Sequence, residues 1–403
     1  MSKWEMVRLG DVFPYIRNGA SIKQADNAIG FPITRIETIA DRTVDRNRMG
    51  YANINKIERY LGFVLETGDI LMSHINSVKH LGKTALYLKK NDECIIHGMN
   101  LLNLRANSNV LCSTYAYRYF NSYCFKKQLP NITKNSVNQS SFNITALKEL
   151  QIPLPPLEVQ RQIADVLNRV SALIEKRKAQ IDKLDLLVKS QFVEMFGDPV
   201  TNPMGWEVKR LESLGTLKNG MNFRNSDSGA SIKCLGVGDF HDHTRIDGVS
   251  NLSEINLNVI PPNDYLLHDG DIVFVRSNGN KALVGRSVVV NLDEEQATFS
   301  GFCIRFRLTE DDVIVDYIAQ LLRHSSVKFQ MFRDVRGANI TNLNQKILSA
   351  LDIPTPPLPL QHRFADFVRA TDKSKFVLQR GLDKLEFLYQ SLMQKCFAGE
   401  LFN

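Results

Sequence analysis

The chain has 403 residues, of which 43% are hydrophobic, and a formal net charge of +7. This length is enough for two domains that each bury a core, and the chain has no run of about 18 apolar residues that would span a membrane. The first eight residues lack the apolar stretch of a signal peptide, and the six cysteines form no Cys-x-x-Cys pair. Composition therefore excludes an integral membrane protein and a disulfide-rich secreted protein, and it predicts a cytoplasmic one.

The positive charge is concentrated in the first part of the chain. Residues 1–150 hold 20 Lys and Arg against 12 Asp and Glu, whereas residues 201–350 hold 16 against 18. A polyanionic partner is therefore expected for the first part. The second part could bind such a partner only through a local patch.

Short β-rich segments are predicted in the first 150 residues, and each returns about 200 residues later. The pairs are 31–36 with 232–237, 67–72 with 269–274, and 82–87 with 285–290. The second pair begins with a Gly-Asp turn that leads into an apolar run. Short strands separated by loops favour a curved sheet or a small barrel in each copy.

A helical segment and a polar loop follow the strands in each copy. Residues 114–120 and 316–322 have helical apolar spacing, and the loops 134–141 and 336–342 are rich in Asn and basic residues. The two loops differ in sequence, whereas the strand and helix segments that precede them correspond. This pattern is typical of one scaffold used twice to recognise two different things.

Motifs for catalysis or for metal binding are weak in this chain. Gly82-Lys83-Thr84 resembles a phosphate-binding loop, but Ser77 stands where that loop needs its first glycine, and a β-like run follows where it needs a helix. His241 and His243 have no third ligand at a suitable spacing. We therefore predict no catalytic residue, no metal site and no cofactor on this chain.

The most pronounced repeat is a Pro-rich segment that opens a long helix. The residues from Ile152 read Ile-Pro-Leu-Pro-Pro-Leu-Glu-Val-Gln, and those from Ile353 read Ile-Pro-Thr-Pro-Pro-Leu-Pro-Leu-Gln. Because Pro suits the start of a helix but not its interior, each helix should begin where Pro156 or Pro357 ends. The first helix should run to about Phe196, where Gly197 stops it.

Apolar residues in both long helices recur at alternating intervals of four and three, as in a heptad seam. Arg177 interrupts the first stripe, and Thr371 and Lys375 interrupt the second. A stripe this narrow needs a partner helix, and the other copy is the nearest candidate. The predicted interface consists of Ile163, Leu167, Val170, Ile174, Ile181, Leu184, Val188, Phe364, Val368, Leu378, Leu382, Leu385, Tyr389 and Leu392.

Two variable domains that alternate with two near-identical long helices resemble the specificity subunit of type I restriction-modification enzymes. The Pro-rich helix starts carry the resemblance, supported by the repeated Trp-Glu at Trp4 and Trp206 and by the Gly-Asp-Ile strands. The family's Ser-x-Arg after the apolar run is matched only in part, by Met72-Ser73-His74 and by Val275-Arg276.

The resemblance implies an α+β protein with two target-recognition domains, each a β-rich curved sheet with helices, joined by two long helices packed as an antiparallel coiled coil. The expected boundaries are 1–152 and 199–353 for the recognition domains, and 153–198 and 354–403 for the spacer helices. Each domain would read one half of a split site in double-stranded DNA. The helices would fix the spacing and dock two methyltransferase subunits, which would bind S-adenosylmethionine, and in the full enzyme two motor-nuclease subunits.

DNA-contacting residues are expected in the loops that differ between the copies. Arg and Lys can pair with guanine, and Asn and Gln can pair with adenine, while an arginine cluster and one lysine in the first domain suit phosphates. The phosphate candidates are Arg42, Arg46, Arg48 and Lys79. The remaining candidates are His74, Asn76, Lys134, Asn135, Asn138, Gln139, Arg276, Asn278, Lys281, Arg336, Asn339 and Asn342.

Two other functions are compatible with the sequence. A scaffold whose repeated modules bind proteins would make the charge of the first domain incidental. A self-sufficient DNA-modifying enzyme is disfavoured by the missing catalytic motifs. A DNA reader would lose affinity steeply with salt, and only an enzyme would transfer a methyl group from S-adenosylmethionine by itself.

Overall fold

The structure, a computed structural model, describes residues 3–25, 30–136, 139–223, 228–240, 244–293, 295–332 and 342–402. The chain forms two compact units. Unit 1 consists of Met1–Lys178 and Arg380–Asn403, and unit 2 consists of Ala179–Gln379. Each unit therefore contains a globular part and half of each long helix.

The globular part of unit 1 combines short strands with short helices. In chain order these are β1 Met6–Arg8, α1 Leu9–Val12, β2 Tyr15–Asn18, β3 Gln24–Ala25, β4 Phe31–Ile33, β5 Gly50–Ala52, β6 Ile70–Ser73, β7 Ile75–Asn76, β8 Thr84–Leu86, β9 Leu101–Arg105, α2 Ser113–Phe120, α3 Tyr123–Lys126, β10 Lys134–Asn135, β11 Ser140–Ser141, α4 Ile144–Glu149 and β12 Gln151–Pro153. The 3-10 turns are Ile36–Ile39, Arg46–Arg48, Glu58–Phe63, Val78–His80 and Leu129–Asn131.

An antiparallel sheet in the order β2-β9-β6-β8 forms the centre of unit 1. Its middle strand β6 is buried on both faces: Ile70 and Met72 join one apolar cluster with α2, while Leu71 joins a second cluster on the opposite side. Double burial explains why this strand is a continuous apolar run rather than an alternating one. Smaller sheets β3-β5-β4, β10-β11-β7 and β1-β12 flank it.

Unit 2 repeats this plan with longer strands. The long helix α5, Leu157–Phe196, leads into it, and its own elements are β13 Val208–Arg210, α6 Leu211–Leu214, β14 Gly215–Asn219, β15 Ala230–Leu235, β16 Arg245–Asp247, β17 Ser253–Leu257, β18 Ile272–Val275, β19 Ser287–Asn291, β20 Ala297–Phe299, β21 Cys303–Leu308, α7 Val315–Arg323, α8 Ser325–Phe332, α9 Gln345–Ser349, β22 Asp352–Pro354 and the long helix α10 Leu358–Ala398. The 3-10 turns are Val237–Asp239, Asn263–Tyr265 and Lys281–Leu283.

The central sheet of unit 2 has the order β14-β21-β18-β19-β16, in which only β16 and β19 run parallel. Its middle strand β18 is buried on both faces, as β6 is. The other sheets are β17-β15-β20 and β13-β22. Within the described ranges every sheet is open, so the curved-sheet alternative holds and the small barrel does not.

Both long helices begin at the predicted residues, and their starts are held by one buried glutamine each. In unit 1, Gln160 accepts from the Cys112 N–H at 2.8 Å and donates to the carbonyls of Val110 and Pro155. In unit 2, Gln361 accepts from the Ile314 N–H at 2.9 Å and donates to the carbonyls of Asp312 and Pro356. The repeated motif therefore ties each helix to its own globular part.

The repeated tryptophans hold the ends of the same helices. Trp206 donates its indole N–H to the carbonyl of Phe196 at 3.0 Å, next to Gly197, whose φ of +77° ends α5. In unit 1, Trp4 donates to the carbonyl of Cys396 at 3.4 Å near the end of α10. Each tryptophan therefore satisfies a carbonyl that the end of the helix leaves open.

Within each unit the two long helices run antiparallel. In unit 1 the start of α5, with Ile163 and Leu167, shares a core with the end of α10, with Met393 and Phe397. Further along, Lys178 pairs with Glu386 at 2.9 Å. In unit 2 the rings of Phe192 and Phe196 contact Phe364, and Asp185 pairs with Lys375 at 2.7 Å.

The residues predicted for the helix interface are all at least half-buried. Those below one-tenth exposed are Ile163, Leu167, Ile174, Ile181, Val188, Phe364 and Leu382. The half-buried ones are Val170, Leu184, Val368, Leu378, Leu385, Tyr389 and Leu392.

The remaining chemistry is simple. All six cysteines are free thiols. Among the helices of the described residues, none is both long and apolar enough to cross a lipid bilayer.

Candidate nucleic-acid interface

In unit 1 the small sheet β10-β11-β7 brings together candidates that are far apart in the chain. Ser140 of β11 pairs with Asn135 on one side and with Asn76 on the other. The Asn135 carboxamide oxygen accepts from the Ser140 hydroxyl at 2.8 Å, which fixes its direction. Lys134 and Asn135 are both exposed, so their side chains project from this sheet toward solvent.

The strands β10 and β11 pair as an antiparallel hairpin. Ser136 and Gln139 close it through paired backbone hydrogen bonds of 2.9 and 3.4 Å, and both residues are exposed. Asn138 lies outside the described residues. Lys134, Asn135 and Gln139 thus occupy one exposed hairpin, next to Asn76.

His74 lies between β6 and β7 but is only 6% exposed. Its carbonyl accepts from the Phe142 N–H at 3.1 Å, and its ring meets the Phe142 ring edge-on. Burial lowers the pKa of the imidazole, which favours the neutral form. The contacts of His74 position the hairpin, and a direct DNA contact by its ring stays a prediction.

The four phosphate candidates of unit 1 have different environments. Arg46 pairs with Glu93 at 2.7 Å and also donates to the Leu88 carbonyl. This pairing lowers the pKa of Glu93 to about 2. Arg48 is half-exposed between Asp41, at 2.9 Å, and Asp45, at 3.1 Å.

Arg42 and Lys79 complete that group. Arg42 donates to the Asn121 carboxamide and has a φ of +60° in its turn. Lys79 is exposed in the turn Val78–His80 that follows β7. Of the four, Lys79 has the environment that best suits a phosphate contact.

Unit 2 forms a corresponding surface with different side chains. In each unit we call this surface the edge: it consists of the segment after the middle strand, which begins at His74 or Arg276, and the end of the polar loop that is joined to it. Ser277, two residues after the end of β18, forms a bridge to Asn342, and the Leu343 N–H donates to the Arg276 carbonyl at 2.7 Å. The corresponding contacts in unit 1 are Ile75 with Ser141 and Phe142 with His74. In both units, therefore, the segment after the middle strand is joined to the end of the polar loop.

Four candidates of unit 2 are described. Arg276 is half-buried and donates to the Gly301 carbonyl at 3.3 Å. Asn278 accepts from the Asn280 N–H at 2.8 Å, while Lys281 and Asn342 are exposed. Arg336 and Asn339 lie outside the described residues.

An ion pair that sequence reasoning missed stiffens the sheet behind each edge. Asp69 binds Arg105 at 2.7 Å in unit 1, and Asp271 binds Arg307 at 2.7 Å in unit 2. Both aspartates are at most 1% exposed. The sequence contained a signal for this ion pair. In both copies an arginine follows the aspartate of the Gly-Asp-Ile motif after the same interval of 36 residues.

Gly82 and Gly285 both have positive φ and both stand two residues before a strand, so Gly82-Lys83-Thr84 is a turn that leads into β8 and not a phosphate-binding loop before a helix. Within the described part of the chain, no three acidic, histidine or cysteine side chains converge in a way that could bind a metal. His241 and His243 lie outside that part.

Comparison with known proteins identifies the family. The family model described as the type I restriction modification DNA specificity domain matches twice, over residues 1–184 and 203–386. A protein of Methanocaldococcus jannaschii named as the type I restriction enzyme MjaX specificity subunit is 32% identical, with 99% of this chain and 93% of the relative covered. The EcoKI specificity subunit of Escherichia coli K12 is 25% identical over 66% of this chain and 60% of its own length.

Two solved structures share the fold. The S subunit of a type I restriction-modification system from M. genitalium matches with a TM-score of 0.55 at 14% identity, covering 98% of this chain and 96% of that one. A chain from a study of assembly and conformational transition of the type I system matches with a TM-score of 0.56 at 18% identity, covering 99% and 98%. The family model matches both halves of the chain, and the MjaX specificity subunit is similar to it over 99% of the chain's length. The chain therefore belongs to the family of type I restriction-modification DNA specificity subunits, which confirms the expected specificity subunit.

Proposed function

We propose that each unit reads one half of a split site in double-stranded DNA. Recognition is assigned to 1–152 and 199–353, and the spacer role to 153–198 and 354–403. The main support is the edge that both units share, where one backbone arrangement carries different polar side chains. Asn76, Lys134, Asn135 and Gln139 would read bases in unit 1, and Arg276, Asn278 and Asn342 in unit 2.

The long helices would set the distance between the half-sites and dock two methyltransferase subunits. Apolar side chains that remain exposed on both helices support a protein partner. The most exposed of them are Leu173, Leu186 and Leu187 on α5, and Phe376, Val377, Phe387 and Leu388 on α10. In the full enzyme two motor-nuclease subunits would join the complex, S-adenosylmethionine would bind to the methyltransferase subunits, and the free thiols fit a cytoplasmic complex.

Selection from a pool of random DNA duplexes tests this proposal. The full chain, alone and together with a type I methyltransferase subunit from the same genome, should enrich two short conserved blocks separated by a fixed number of unspecified base pairs. Affinity for that site should fall steeply with salt. Enrichment of a single unbroken block, or binding that does not respond to salt, would count against the proposal.

A further inference from the structure

The turn that connects β20 to β21 in unit 2 exposes an aromatic ring at the edge described above. The Cys303 N–H donates to the Ser300 carbonyl at 2.8 Å, which closes a tight turn. Ser300 and Cys303 are buried, but Phe302 between them is 61% exposed. Exposed apolar residues are common on protein surfaces, so the position of this ring, and not its exposure alone, carries the argument.

The backbone fixes Phe302 relative to the reading segment of unit 2. Its carbonyl accepts from the N–H groups of Arg276 at 2.8 Å and Ser277 at 3.3 Å. The Arg276 guanidinium in turn donates to the carbonyl of Gly301 at 3.3 Å. The turn and the segment that contains Arg276 therefore form one hydrogen-bonded surface.

The corresponding turn in unit 1 has the same backbone hydrogen bond and strand pairing but a different residue at its tip, the position that Phe302 occupies in unit 2. The Leu101 N–H donates to the Gly98 carbonyl, and Leu101 pairs with Ser73 as Cys303 pairs with Val275. The residue at the tip, equivalent to Phe302, is Asn100, which is exposed. A shared backbone with a different side chain at its tip is what two readers of different sequences require.

We propose that this turn is an additional reading element and that Phe302 contacts the 5-methyl group of a thymine in the half-site of unit 2. Thymine presents this methyl group in the major groove, where apolar side chains recognise it. Asn100 of unit 1 has the amide type that pairs with adenine. The inference rests on the proposed DNA-reading function and names a residue that contributes to its specificity.

The test uses the split site selected by the wild-type chain, with each thymine replaced in turn by 2′-deoxyuridine. One replacement in one half-site should weaken wild-type binding about fourfold, the change expected for one buried methyl group. Phe302→Ala should weaken binding to the unmodified site by at least this much and should be insensitive to the same replacement. Phe302→Leu should restore part of the discrimination.

Phe329→Ala is the matched control, because Phe329 is 70% exposed in α8 of the same unit. This variant should bind like the wild type. If the wild type selects a split site but Phe302→Ala binds it unchanged, the inference is overturned and the proposed function stands. Loss of affinity in Phe302→Ala without any change in thymine dependence also overturns it, whereas failure of the wild type to select a split site would overturn the function itself.

Discussion

At the scale of single residues, the partner of a charged side chain decides what that side chain can do. Arg42, Arg46 and Arg48 form a basic cluster in the sequence, yet Arg46 is paired with Glu93, 47 positions away. Sequence reasoning identified the residue types but not their partners, since no local pattern encodes such a contact. Lys79, Lys134 and Gln139 are exposed and remain the better candidates for DNA contact.

Arg46→Ala and Lys79→Ala should therefore have different effects. Removing Arg46 leaves Glu93 half-buried without its cation, and we expect a loss of about 2–4 kcal/mol in the free energy of unfolding of unit 1. Lys79→Ala should leave stability unchanged and reduce the slope of log affinity against log salt by about one. Chemical denaturation and DNA titration at several salt concentrations measure both; equal stability of the two variants would contradict the structural role of Arg46.

Lys134→Ala should relax the sequence preference of one half-site only. Lys134 is exposed in the hairpin of unit 1, and unit 2 builds its own edge from other residues. Selection from random duplexes should show weaker conservation in one block and an unchanged second block. Lys127→Ala removes the same charge at another exposed position of unit 1 and serves as the control. Equal weakening of both blocks would show that the units do not read independently.

His97 makes the stability of unit 1 depend on pH. It is fully buried, and burial lowers its pKa to about 4 from an ordinary value of about 6.5. As pH falls below 6.5 the unfolded chain takes up the proton first, so stability decreases until about pH 4. His97 should account for a loss of about 3 kcal/mol. His97→Gln should therefore reduce this pH dependence to the part contributed by His74, whose pKa burial also lowers, and by the carboxylates, whereas His268→Gln at an exposed site should leave it unchanged.

At the scale of elements, the starts of the long helices were predictable to the residue and the short strands were not. The Pro-rich starts and Gly197 mark helix ends locally, so α5 and α10 begin where the sequence predicted. Strands depend on distant partners: the segment 31–36 contains a strand only over Phe31–Ile33. The break in the second seam at Lys375 has a tertiary cause, because Lys375 pairs with Asp185 of α5.

Gln160→Ala and Gln361→Ala should each destabilise one unit. Either change leaves one backbone N–H and two backbone carbonyls without their side-chain partner, and the carbonyl of Pro155 or Pro356 is buried, so we expect a loss of about 2 kcal/mol. Hydrogen exchange should increase at the start of α5 for Gln160→Ala and at the start of α10 for Gln361→Ala. Gln162 is exposed two residues further along α5, so Gln162→Ala should leave the free energy of unfolding unchanged. A neutral Gln160→Ala would show that the Pro-rich turn alone fixes the helix.

At the scale of the whole molecule, the duplication explains both the architecture and the limit of prediction. Two copies of one scaffold give two similar units, and the antiparallel helices give each unit one half of α5 and one half of α10. The repeated Pro-rich helix starts at Ile152 and Ile353 made this organisation predictable from the sequence. The bases that are read depend on the differing loops, whose contacts arise from residues far apart in the chain, such as Asn76 and Ser140.

Lengthening both helices should change the spacing of the half-sites without changing the half-sites. Seven residues preserve the heptad seam and add about 10.5 Å to a helix, which corresponds to about three base pairs of DNA. The insertions belong between Lys178 and Asp185 in α5 and between Lys375 and Glu386 in α10, because the ion pairs at these residues mark matching positions of the antiparallel pair.

Selection from random duplexes would report the new spacer length directly. We expect the same two blocks with about three more unspecified base pairs between them. An insertion in one helix alone shifts the seam of that helix past its partner, so this control should lose stability and DNA binding together. If the paired insertion binds as tightly as the wild type with an unchanged spacer, then the helices do not set the distance between the half-sites, and that part of the proposed function fails.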